Sequence, residues 1–195
     1  NPSLVGSEMC IRDSPVTDVS FYDGVLAANA RSIRDGLDTI YEYTSLSLNS
    51  EGNVTAFNDL ERFDSRNGYR LANADEFKYA LRGGTETDLP WGSLADTTLG
   101  TQYVFLDNDN NVFPSYSRPQ VVAAKLPNQY GLYDMIGNAG EDAWSNSTST
   151  SSAKRVGDDF SSSGWPKYLY SASISSVSPS AVGAFSSFRF VRNHP

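Results

Sequence analysis

Residues 67–84, NGYRLANADEFKYALRGG, and residues 126–142, LPNQYGLYDMIGNAGED, decide how this chain folds. In the first, Asn73 and Glu76 stand at the spacing of a capping box, in which each side chain takes the other's free backbone N–H. Phe77, Ala80 and Leu81 then fall on one helical face, and Gly83-Gly84 supplies the left-handed stop. In the second, Gly137-Asn138-Ala139 reads as a turn. Asp134 and Glu141 flank the turn Gly137-Asn138-Ala139, whose backbone carbonyls can be aimed at the same point as the two carboxylates. That is the all-oxygen shell that Ca²⁺ prefers, and the alternative is a metal-free turn held by side-chain hydrogen bonds.

Upstream, DVSFYDGVLAANARSIRDG carries a second box, Ser20 with Asp23, and an apolar face of Phe21, Val25, Ala28 and Ile33 that ends at Gly36. TIYEYTSLSL, residues 39–48, alternates between turn residues and predicts a strand or hairpin arm. QYVFLDNDNNVFPSY, residues 102–116, predicts a short strand, an Asn/Asp turn and a second short run, and the last forty residues are serine-rich and loop-like. Two main helices among short antiparallel strands and long loops make an α+β domain.

The chain has 195 residues and a formal charge of −8, a balance that repels nucleic acid and anionic membranes. No apolar run is long enough for a membrane span. The only cysteine, Cys10, lies in SLVGSEMCIRDS, residues 3–14, which back-translates to a transposase-type sequencing adapter read in frame. The expectation is that residues 1–14 are an artefact of assembled environmental DNA, with Cys10 no functional thiol, and that 15–195 form the domain.

PVTDVSFYDGVLAANARSIRDGL, NGYRLANADEFKYALRGG, LPWG, LPNQYGLYDMIGNAGED, KRV and FRFVR occur in an order that resembles the formylglycine-generating enzyme, or sulfatase-modifying factor, family. The resemblance spans Pro15 to Arg192 and implies a loop-rich variant of the C-type lectin fold, here lacking its N-terminal portion. It also implies a copper site built from two cysteines, soft ligands suited to Cu(I). Their positions fall at about Pro166 and Ser171, and no cysteine follows Cys10, so copper is not expected. The iron-dependent branch needs several histidines, whereas His194 is alone. A Ser-His-Asp site would depend on that same terminal histidine. Asp107, Asp109, Asp158 and Asp159 read as a solvated acidic surface, and DNDNN lacks the glycine and closing Glu of an EF-hand loop. By resemblance, the family's structural calcium site falls on Asp134, Gly137, Ala139 and Glu141. Where the family writes GNVWEW, this chain has Gly140 and Asp142 in place of the two tryptophans.

From Asp158 to Ser187 there are eleven serines in thirty positions, inside a frame of KRV and FRFVR that keeps the family pattern. Family members targeted by diversity-generating retroelements vary this C-terminal segment, and most residues here can arise from AAY-type codons by adenine mutation, although Trp165 and Lys167 cannot. Asp158, Asp159, Ser161, Ser163 and Trp165 are candidate ligand contacts, as are Tyr168, Tyr170, Ser173 and Phe185. Aromatic residues among serines suit binding loops because they give contact area at low entropic cost. The expected function is non-catalytic recognition of a protein or glycan ligand on a cell surface, as a phage or bacterial variable protein of the virion or cell surface. An oxidoreductase of the family with a substituted mechanism and a structural module of a larger virion or surface protein are the alternatives.

Overall fold

The computed structural model describes residues 13–87, 89–93, 95–106, 116–145, 153–161 and 174–193. Helix α1 (Phe21–Arg34) opens with the expected box, Ser20 Oγ accepting from Asp23 N at 3.1 Å and Asp23 Oδ2 accepting from Ser20 N at 2.8 Å. Its buried face is Phe21, Val25, Ala28 and Ser32. Ile33, expected on that face, is 68% exposed. The period of 3.6 residues that carries 21 to 25 and 28 arrives at 32, and Ser32 is tolerated there because its hydroxyl donates to Ala28 O and accepts from Tyr69 N. Helix α2 (Ala74–Arg82) has both halves of its Asn73–Glu76 box, and Gly83 closes it at φ +63°.

The strands are short. β1 (Tyr41–Glu42) pairs with β4 (Glu61–Arg62), and β2 (Ser45–Leu48) forms a hairpin with β3 (Val54–Asn58), so TIYEYTSLSL supplies two strands rather than one arm. β5 (Tyr69–Leu71) pairs with β10 (Phe190–Arg192), joining the capping segment of α2 to the C-terminal frame. The remaining sheet has the order β8 (Ser175–Val177), β7 (Ala153–Val156), β6 (Gly140–Trp144), β9 (Ser186–Ser187). The β6–β9 pair is parallel, an exception to the expected antiparallel strands. A third helix, α3 (Thr97–Tyr103), was not expected. It takes Gln102 and Tyr103 from the expected strand, whose remainder reduces to a single bridge between Phe105 and Gly137; residues 107–115 lie outside the described residues.

All five residues of β6 are buried, and its alternation divides the interior. On one side Trp144 meets Phe21, Tyr41 and Leu71 of the α1 cluster. Trp144 Nε1 and Leu71 N both donate to Tyr41 Oη, at 2.8 and 2.9 Å, and burial pushes the Tyr41 hydroxyl up to about 12. On the other side Ala143 joins Phe77, Leu81, Met135 and Val156 of the α2 cluster. β6 therefore carries the sequence Glu141-Asp142 through the middle of the molecule. Among the described residues no helix is long and apolar enough to cross a membrane.

Candidate functional site

The turn before β6 is built by residues that accept left-handed backbone. Asp134, Gly137 and Asn138 have φ of +51°, +77° and +66°. At Gly137 a Cβ would lie 2.1 Å from the Phe105 carbonyl oxygen, so only glycine fits there. Gly137 N donates to Gly157 O at 2.7 Å, and Asn138 N to Phe105 O at 2.9 Å. The buried Asn138 amide exchanges bonds with the backbone of Gln120, at 2.7 and 3.2 Å. One turn thus ties together three segments distant in sequence.

Asp134 and Glu141 converge on Arg189. The guanidinium donates through Nε to Glu141 Oε1 and through Nη2 to the Asp134 carbonyl, both at 2.7 Å. Asp134 Oδ2 accepts from Ala123 N at 2.8 Å. Asp134 Oδ1 and Glu141 Oε2 are buried and accept no hydrogen bond, although these residues are only 8% and 4% exposed. Burial pushes the Glu141 carboxyl up to about 7; Arg189 opposes the shift and Asp134 adds to it. Two buried oxygens without a partner are costly, and a hard cation relieves that cost without needing a hydrogen. Among the described residues no three His, Cys, Asp or Glu side chains cluster, so an ion here would complete its shell with backbone carbonyls of the turn. Within those terms the residues fit calcium.

Asp142, one residue on, faces the opposite side of β6. Its Oδ1 accepts from Arg155 Nε at 3.0 Å, and Arg155 Nη2 donates to Ser186 Oγ. Burial pushes Asp142 up to about 6 against the pull of Arg155. At Gly140 a Cβ would stand 3.0 Å from Arg155 Cδ. Arg155 therefore lies beside both Gly140 and Asp142, the two positions at which the resemblance implies tryptophan, and pairs with Asp142.

The proposed ligand face meets this turn at both of its ends. Phe160 N donates to Asn138 O at 3.2 Å, and Gly140 N to Phe185 O at 3.1 Å. The rings of Phe160 and Phe185 pack edge to face, 4.5 Å between centroids. Asp158 is left-handed at φ +52°, and Asp159 Oδ1 accepts from Ser161 N and Oγ at 2.8 and 2.5 Å. Ser163, Trp165, Tyr168, Tyr170 and Ser173 lie outside the described residues. Sequence reasoning missed the roles of Arg155 and Arg189. The only signal for either was its place within KRV and FRFVR, which says that a residue is framed and not what it touches.

Residues 6–194 match the family model described as the sulfatase-modifying factor enzyme 1-like domain. Chaperone protein LppX of Paenibacillus barcinonensis is 28% identical over 161 residues, 74% of this chain and 55% of that protein, so the chain spans about half of that relative. Treponema denticola variable protein 1 superposes with a TM-score of 0.69 at 24% identity, covering 91% of this chain and 70% of that one. CarF superposes at 0.62 with 25% identity, covering 94% and 69%; PvdO from Pseudomonas aeruginosa gives 0.61 with 17% identity, covering 93% and 63%. These likenesses establish the α+β, C-type-lectin-like fold.

Proposed function

This chain belongs to the sulfatase-modifying factor enzyme 1-like domain family, and we propose that it serves there as a non-catalytic ligand-recognition domain. The observation that carries the reading is the anchoring of a serine- and aromatic-rich segment at both ends, by the Phe160–Phe185 contact and the bonds of residues 137–140 to Gly157, Phe160 and Phe185. On this reading change is confined to the residues between Ser161 and Ile174, because Ile174 packs against the α2 cluster and β8 pairs with β7. Likeness of fold to a protein titled as variable supports the same reading. The ligand is a protein or glycan on a cell surface, and the carrier a phage or bacterial surface.

Replacing Ser163, Trp165, Tyr168, Tyr170 and Ser173 together by residues that AAY-type codons reach through adenine mutation is expected to shift the melting temperature by less than about 3 °C. Next to the gene, a reverse transcriptase and a near-copy of the 158–187 coding segment are expected. A large loss of stability together with an isolated gene would overturn the reading. Against the oxidoreductase alternative, incubation with Cu(I), oxygen and a cysteine-containing sulfatase peptide is expected to leave the peptide mass unchanged, since no cysteine follows Cys10. Turnover would restore it.

Calcium belongs to the same proposal, held by the Asp134 and Glu141 carboxylates with carbonyls of Gly137 and Ala139. Its contribution is structural: the ion offsets buried negative charge in the turn on which the ligand segment rests. An ion bound to the native state alone stabilises by about 2.7 kcal/mol at a hundredfold excess over Kd. Thermal unfolding with calcium and with chelator is expected to differ for the parent and to coincide for Glu141→Gln. Four identical curves would leave a metal-free turn.

A further inference from the structure

Tyr79 and Tyr130, 51 positions apart in the sequence, meet on the surface. Tyr130 Oη donates to Tyr79 Oη at 3.0 Å, and the ring centroids lie 5.8 Å apart with the planes tilted by 38°. Both side chains stay open to solvent, the residues being 63% and 47% exposed. Among the described residues no other two tyrosine rings pack together.

The backbone holds both rings in place. Tyr79 belongs to α2, whose other face buries Ala74, Phe77 and Leu81. Tyr130 is fixed to the end of that helix through Asn128. The Asn128 amide donates to Ala80 O and Leu81 O at 2.6 and 3.1 Å, and its oxygen accepts from Tyr130 N and Leu132 N at 3.0 and 3.1 Å. Gly84, at φ +87°, makes room for the ring, since a Cβ there would stand 3.1 Å from Tyr130 Cε1 and Oη. The two phenols are thus positioned by a helix, a side-chain clamp and a glycine that no other residue replaces without strain.

A one-electron oxidant takes an electron and a proton from a phenol and leaves a phenoxyl radical, whose spin is shared with the ring carbons ortho to the oxygen. Oxygens at hydrogen-bond distance bring those ortho carbons side by side. We propose that Tyr79 and Tyr130 form a modification site, at which hydrogen peroxide acting through a haem peroxidase joins them into dityrosine. Each phenol gives up one hydrogen atom, and the two radicals form a carbon–carbon bond between ortho carbons. The hydrogens on those carbons move to the oxygens and restore both phenols, while the peroxide takes up the two electrons and two protons and leaves as water. The product staples α2 to the loop that enters the Asp134 turn. A chain whose single cysteine is Cys10 cannot make that staple with an internal disulfide. The bond needs neither the serine-rich segment nor an ion at the turn.

The test treats dilute folded protein with a haem peroxidase and hydrogen peroxide, and reads dityrosine by its fluorescence and by mass spectrometry of the digested product. The expected product is a monomer lighter by a pair of hydrogens, with the peptides of Tyr79 and Tyr130 joined and a yield per molecule independent of protein concentration. Tyr79→Phe and Tyr130→Phe each keep the ring and remove one hydroxyl. Either is expected to lose most of the total fluorescence, although ten of the eleven tyrosines remain. The cross-linked monomer is expected to melt about 5–10 °C higher than the parent, as for a disulfide closing a loop of the same span. Absence of dityrosine, a main product that joins other tyrosines or two chains, full fluorescence in either variant, or an unchanged melting temperature of the cross-linked monomer would each overturn the assignment.

Discussion

Replacing Arg155 by methionine is expected to destabilise the fold by about 3–5 kcal/mol at pH 8, the cost of leaving a buried carboxylate without its partner. The Asp142 side chain is 1% exposed and that of Arg155 23%, so water cannot take over the role of the guanidinium. The same residue holds Ser186 of β9, and a Cβ at Gly183 would stand 2.6 Å from Arg155 Nη1, so loss of Arg155 loosens the end of the serine-rich segment as well. Lowering the pH to 5 is expected to recover part of the loss by protonating Asp142. The double variant Arg155→Met, Asp142→Asn is expected to be more stable than Arg155→Met alone, because no buried charge remains. Denaturant unfolding at the two pH values checks this; equal losses at pH 5 and pH 8 would mean that packing, not charge, is what Arg155 supplies.

Stability without calcium is expected to fall as pH rises from about 4.5 to 7. Both carboxyls of β6 have raised values when folded, Glu141 about 7 and Asp142 about 6, in each case chiefly through burial. The folded state therefore holds more protons than the unfolded chain across this window, and each such group favours folding only while protonated. Each contributes on the order of 3 kcal/mol across its own shift, at about 1.4 kcal/mol per pH unit. Glu76, whose burial is outweighed by its bonds to Arg70 and Asn73, is held low and acts in the opposite sense at more acidic pH, outside the window. Glu141→Gln is expected to flatten the slope by about half. Saturating calcium is expected to flatten it in the parent, because a bound cation keeps the carboxylate ionised. A rise in stability from pH 4.5 to 7 in chelator would show that neither group is buried as described.

Where a structural rule needed only neighbours three or four residues apart, the sequence already held the answer. The two capping boxes, Ser20 with Asp23 and Asn73 with Glu76, and the left-handed stop at Gly83 are local chemistry, and they form where the residues predict. The expectation against copper rests on composition alone, since the two-cysteine site implied by the resemblance cannot be built from a chain whose single cysteine is Cys10. Side-chain choice on α1 was less secure: hydrophobicity favours Ile33 over Ser32, but the burial of Ser32 depends on Tyr69 N arriving from β5 to use its hydroxyl.

The site itself only the tertiary structure could assemble. Glu141 meets Arg189 across 48 positions, and Asp142 meets Arg155 across 13, through a parallel and an antiparallel pairing of β6. Nothing in YDMIGNAGED states that Glu141 and Asp142 lose water on folding, or which arginine each will find. Ionisable side chains carry their charge in the sequence, but the free energy of that charge is set by what surrounds it. Burial on both faces of one central strand raises two ordinary acids well above the usual carboxylate range and makes the stability of the fold depend on their protonation.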